Sequence, residues 1–377
     1  MCDCLQVAAH IICALASGSM LLLWLRLDDE SRKRVWRLYG WFSGLICFGG
    51  CCGAIAWTAW MQYLVLVYQN PTAVNTRLVL SSNKSLSEKI ADTDITAKMI
   101  RMLSIYPVPY SLEFFCMSMA KLLVLDRMVH VALPRAFVTS QRCVAARRLV
   151  VGLVIACNAI YIAVSVVAAI YFNRSADQLV SDVAVNPSLV VNSSEYALPS
   201  LQSISIADVS LSVGEFCEVT IRILIIAVFV VVGTLCARRM HSALLNMPED
   251  ASEQLRVEFN SVRRKILVTV SIVFLTFLLS AICTAMIAFA NALENRLSST
   301  CFNDSYGCNL YYYMQAWIIY TPEFALMSDF ISSPLTMLIT LWGMTSDRSL
   351  QLMRRRAGEG LSLSPIRAPN VRSSVFG

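Results

Sequence analysis

A chain of 377 residues that is 57% hydrophobic and only 15% charged cannot bury its apolar side chains in a soluble core and still have a wettable surface. The formal net charge of +6 is modest and its basic residues are not massed on one segment, which excludes a nucleic-acid-binding protein. The composition requires a bilayer as solvent, and helices satisfy their own backbone groups there.

A helix crosses about 30 Å of hydrocarbon with roughly 20 apolar residues, and seven segments meet that demand. They are expected at about 5–25, 38–68, 102–125, 149–172, 213–237, 266–290 and 311–342. The fold class is therefore an all-α membrane protein, a seven-transmembrane helix bundle filling residues 1–343. His10 is the one strongly polar side chain in the interior of the first segment. In the second, Gly49 and Gly53 stand four residues apart and would let another backbone approach closely. Tyr39 and Trp41 near its start, and Trp57, Trp60 and Tyr63 near its end, read as aromatic belts at the two water boundaries.

Of the 31 basic residues, 22 fall in the loops after helices one, three, five and seven, and seven in the alternate loops. By the positive-inside rule the first set is cytoplasmic, so the amino terminus is outside and the carboxyl terminus cytoplasmic. Four glycosylation acceptor patterns, at Asn83, Asn173, Asn192 and Asn303, all fall in the loops thus assigned to the outside. The first segment lacks a basic leader and is followed by basic residues, so it reads as a helix and not as a cleaved signal peptide. These features point to an integral protein of the plasma membrane, reached by the secretory route.

Most of the 14 cysteines lie in apolar segments, where a thiol behaves as a small hydrophobe. Cys301 and Cys308, in the last outer loop, are expected to form a disulfide. No cysteine and histidine cluster has metal-ligand spacing, so neither a metal nor another cofactor is expected. Neither a Ser-His nor a paired-aspartate motif stands out, so the chain does not read as an enzyme.

Ionisable residues inside apolar helices are costly and face the bundle interior or a functional path. Glu113 and Lys121 lie in the third segment, Glu215, Glu218 and Arg222 in the fifth, Glu323 and Asp329 in the seventh. Glu218 and Arg222, four apart, can pair on one helix face. Lys121 has no acidic residue at helical spacing on its own segment, which suggests an interhelical contact to Asp329, with snorkelling to the inner surface as the plain alternative. After the seventh helix, residues 344–357 combine Leu350, Leu352 and Met353 with Arg354, Arg355 and Arg356, the pattern of a short amphipathic juxtamembrane helix. Residues 358–377 read as a disordered cytoplasmic tail.

With its outer amino terminus, seven helices and short amphipathic helix, the chain resembles a seven-transmembrane receptor of the G-protein-coupled type. Asp126-Arg127-Met128, at the inner end of the third helix, resembles the Asp/Glu-Arg-Tyr motif of the rhodopsin-like class. The resemblance implies an extracellular ligand near Glu113, Glu218, Arg222 and Glu323, and a heterotrimeric G protein as cytoplasmic partner. It also makes Asp126 and Arg127 a switch, with Glu258 as a restraining partner. Ser333-Pro334 stands where that class has Asn-Pro, and the sixth helix lacks its Trp-x-Pro. The alternative function is a membrane transporter or channel whose substrate path is lined by the charges of helices three, five and seven.

Overall fold

The computed structural model describes residues 2–26, 39–70, 86–132, 141–185 and 199–245, with helical positions scattered between 264 and 289. Six long helices account for nearly all of it: α1 (Cys2–Leu25), α2 (Tyr39–Gln69), α3 (Leu86–Ile105), α4 (Pro107–Ala132), α5 (Gln141–Val185) and α6 (Pro199–Leu245). Among the described residues, five stretches are long and apolar enough to cross a membrane, one of them running through α3 and α4. The chain is thus an all-α membrane protein. Residues 278–286 are helical and fall inside the expected sixth span, whereas the expected seventh span, the juxtamembrane helix and the tail lie outside the described residues.

Proline punctuates these helices. Tyr106 precedes Pro107, where the α conformation is disfavoured, and it interrupts the helix between α3 and α4. Pro107 opens α4 at a position whose N–H has no helical partner anyway. The Tyr110 amide then closes the first turn by donating to the Tyr106 carbonyl at 3.2 Å.

Side-chain hydroxyls within the spans are mostly satisfied by their own helix. Ser17, Thr58, Ser212, Thr220 and Thr234 each donate to a carbonyl four residues back. This local bonding lets polar residues lie in apolar helices without an orphan donor.

The pairs α1–α2 and α4–α5 pack antiparallel. Along α1 and α2, a Cβ built on Gly50 would meet Ala14 and one on Gly40 would meet Trp24. On α4 and α5, Asp126 meets Arg147 and Phe114 meets Tyr161. The helix α4 is the hub, in contact with α2, α5 and α6. One core cluster, with Tyr39, Phe42, Ile46, Met117 and Ala120, fills the α1–α2–α4 side; another, with Phe114, Tyr161, Ile221 and Ile225, fills the α4–α5–α6 side. Large apolar side chains such as Leu15, Leu149, Ile170 and Val231 point away from both cores and are exposed, which is the surface a lipid environment requires.

The helices are longer than the sequence suggested. At 1.5 Å per residue, α5 is about 68 Å long and α6 about 70 Å, twice what the hydrocarbon needs. The excess at one end is paired with α3, which occupies a stretch that read as the outer loop between spans two and three. Ala97, Ile100, Ala168, Phe172, Ala176, Leu179 and Ala207 form the shared core of this extension. Its small alanines bring the three helices close, and Arg101 donates to Asp177 at 2.9 Å on its surface. Patterning missed α3 because its apolar side chains are few and its buried face includes Thr93, Thr96 and Ala97.

Asn173 is exposed within α5, but Ser175, which completes its acceptor pattern, is buried and donates its hydroxyl to the Ser200 carbonyl at 2.9 Å. Acceptor patterns are used on accessible surface loops, so Asn173→Gln is expected to leave the electrophoretic mobility of the expressed protein unchanged. A mobility shift equal to loss of one glycan would show that Asn173 is modified after all. Asn83, Asn192 and Asn303 lie outside the described residues.

The aromatic belt reading of α2 needs correction. Trp41 is exposed, but Tyr39 and Trp57 are buried. Trp57 and Trp60 instead join Tyr106 and Tyr110 in an aromatic cluster, with ring centroids 5.1–6.4 Å apart and Trp57 edge-on to both tyrosines. The spacing along α2 fits a belt, yet the face turned toward the α3–α4 junction decides what those rings touch.

Candidate functional site

The hub helix carries ionisable residues on two faces. On the α1–α2 side, Glu113 is buried and its Oε1 lies 2.8 Å from His10 Nε2. His10 Nδ1 in turn lies 2.8 Å from the Gln6 carbonyl, one helical turn back in α1. Gly53 of α2 makes the contact possible: a Cβ there would stand 2.7 Å from both Glu113 Oε2 and His10 Nε2. Gly49 has a similar role a helical turn away, where a Cβ would be 3.1 Å from that of Cys116. The four-residue glycine spacing thus serves packing inside the bundle.

On the other face lies a second ionic cluster. Arg222 donates to Glu218 Oε1 on the same helix, the pair anticipated from their spacing. Two tyrosines complete the clasp: Tyr161 of α5 donates to Glu218 Oε2 at 3.1 Å and Tyr110 of α4 to Oε1 at 3.3 Å. The Arg222 guanidinium stands over the Phe114 ring, 5.4 Å from its centroid, so the cation gains from the ring face as well. Glu218 is 1% exposed and Arg222 6%. Two charges taken this far out of water persist only when paired and hydrogen-bonded.

Lys121 links the two faces. It is 7% exposed, so its ammonium does not reach the surface, and the snorkelling alternative is set aside. It lies within electrostatic reach of Glu113, Glu218 and Arg222. Asp329, its anticipated partner, and Glu323 lie outside the described residues. Among the described residues the interior thus brings together Glu113, with His10 on it, Lys121, and the Glu218–Arg222 pair.

At the far end of α4, Asp126 accepts from Arg147 of α5 at 2.8 Å in a partly exposed pair. Arg127 is on the same helix, with its side chain outside what is described, as is Glu258. Cys301 and Cys308 are likewise outside the described residues. Buried Cys13, Cys52 and Cys116 are free thiols. No group of three metal-ligating side chains occurs among the described residues.

The sequence brought Glu113, Glu218, Arg222 and Lys121 into view as costly charges. It did not pair Glu113 with His10, although a lone strongly polar residue in an apolar segment was the signal. Tyr110, Phe114 and Tyr161 were missed because a tyrosine or phenylalanine in a membrane helix gives no signal of its own. No family model, no curated protein and no solved structure matches the chain.

Proposed function

We propose that the protein is an integral membrane receptor of the seven-transmembrane type. It binds an extracellular ligand beside the Glu218–Arg222 cluster and signals through a cytoplasmic heterotrimeric G protein. The observation that carries this reading is the position of α4. One helix supplies Tyr110, Phe114 and Lys121 to the buried cluster and, further along, carries Asp126, held to α5 by Arg147. A ligand that redistributes the cluster's contacts acts directly on the element that presents Asp126 and Arg127. In this reading Arg127 engages the G protein, and Glu113 and Glu323 border the ligand.

The test is guanine-nucleotide exchange by a panel of G proteins with wild type and Arg127→Ala in membranes. Site-to-site coupling of about 1–3 kcal/mol corresponds to roughly 5–150-fold, so exchange is expected to fall about tenfold or more in the variant. Equal exchange by both proteins removes the role. The mixed charges of Glu113, Lys121, Arg222 and Glu218 also suit a transport path. Ion flux in proteoliposomes, lost on Lys121→Met without any exchange activity, would favour that second reading.

A further inference from the structure

His10 and Glu113 share a geometry that fixes a proton count. Both side chains are buried, and both ring nitrogens of His10 have an oxygen at 2.8 Å: the Gln6 carbonyl at Nδ1 and Glu113 Oε1 at Nε2. A carbonyl oxygen only accepts, so Nδ1 must carry a hydrogen. The Nε2 contact then needs one more. If Glu113 is ionised, the hydrogen sits on Nε2 and the ring is an imidazolium; if the ring is neutral, the hydrogen sits on Glu113 and Nε2 accepts. Both arrangements hold the same single proton between Nε2 and Oε1. Without it, a nitrogen lone pair faces a carboxylate at hydrogen-bond distance in a site shielded from water. Turning the ring hydrogen over to Nε2 only moves the conflict, since Nδ1 would then face the Gln6 carbonyl as an acceptor.

We propose that His10 and Glu113 form a one-proton binding site that ties α1 to the hub helix α4, and that release of this proton loosens α1 from the bundle. The groups around it do not replace the proton. Cys13 of α1, Cys52 of α2 and Cys116 of α4 lie within electrostatic reach of the Glu113 carboxylate, but thiols are weak donors and weak acceptors. Lys121 of α4 is also within reach, and it feels Glu218 and Arg222 of α6 as well. A change of charge at Glu113 is therefore transmitted to the second ionic cluster. The site stands independently of any coupling to a G protein.

The sign follows from the proton count. Where the folded pair holds a proton that the unfolded chain has given up, stability falls as pH rises. The experiment is thermal unfolding of the full-length protein in detergent across about pH 5 to 9, the range in which histidines commonly titrate, for wild type, Glu113→Gln and His10→Gln. A glutamine at 113 can donate its amide to an unprotonated Nε2 or offer its oxygen to a protonated one, so its contact survives either state. Wild type is expected to lose several degrees relative to Glu113→Gln on the alkaline side, and His10→Gln is expected to lack that loss. Parallel profiles for wild type and Glu113→Gln overturn the proposal, as does a wild-type profile retained by His10→Gln. If neither variant folds, amide deuterium exchange in the wild type decides. Exchange in α1 that accelerates with pH more than in α5 supports the site, and an equal ratio overturns it.

Discussion

Replacing Gly53 by alanine is expected to destabilise the protein by about 3 kcal/mol or more, the magnitude for breaking a buried ionic contact. The new methyl carbon would lie 2.7 Å from both Glu113 Oε2 and His10 Nε2, closer than real side-chain carbons pack. Neither neighbour is a flexible end that can swing aside: the His10 ring is pinned at both nitrogens and Glu113 is held between α1 and α2. The methyl group must therefore push α1 or α4 away, and the carboxylate loses its partner while still out of water. Gly152→Ala is the matched control. Nothing lies within 4 Å of a Cβ at Gly152, and alanine gains about 1 kcal/mol of helix propensity over glycine. Thermal unfolding in detergent should show a sharply lowered midpoint for Gly53→Ala and an equal or higher one for Gly152→Ala. A Gly53→Ala protein that melts with wild type would mean that α1 does not sit against α4 as described.

The glycines of α2 show how far the sequence could be read. Gly49 and Gly53 announced a close approach, because their spacing puts both on one face of a helix, but not which helix arrives or what it carries. His10 and Glu113 are 103 residues apart, and no periodicity connects residues across that distance. By contrast, Glu218 and Arg222 sit one turn apart, so their pairing follows from helical geometry alone. Lys121 falls between the cases. Its cost in lipid showed that it needs acidic company, yet the company it has is Glu218 on α6 and Glu113 at a distant position of its own helix.

Span extents were legible only where hydropathy changes sharply. The start and end of α2 fall within a residue of the apolar stretch, since Asn70 and the following Pro71 stop it; Asn70 Nδ2 donates back to the Leu66 carbonyl at 3.1 Å. The helices α5 and α6 run on beyond their apolar stretches because they find each other, and α3, outside it. Ser175, Ser200 and Ser203 give no hydrophobic signal, yet all three are buried there. In that extension tertiary contact sets the helix ends, which a scan for apolar runs cannot detect.

If the protein is the receptor proposed above, the Glu218–Arg222 cluster allows folding and signalling to be separated by mutation. Glu218→Leu leaves Arg222 buried without its carboxylate and takes the acceptor from Tyr110 and Tyr161; Arg222→Met leaves Glu218 with the two phenols as hydrogen-bond donors and the more distant charge of Lys121. Each single change is expected to cost about 3–5 kcal/mol, most of it from the surviving charge. The double change Glu218→Leu with Arg222→Met removes both charges, and apolar side chains of similar size suit a site already walled by Phe114. It should recover most of the loss, with a remainder of about 1–3 kcal/mol for the two stranded phenol hydroxyls. Melting midpoints of the four proteins make a double-mutant cycle, and a double variant no more stable than the singles would show that the charges do not act as a pair. The refolded double variant then has a second use. On that receptor reading, if the cluster only holds the bundle together, the double variant should match the nucleotide exchange expected of wild type once it is stable. If a ligand works through those charges, the double variant should reach the membrane intact and yet give no ligand-stimulated exchange. That second outcome is the one the arrangement around α4 leads us to expect, because a buried pair kept only for stability could be exchanged for apolar side chains at little loss.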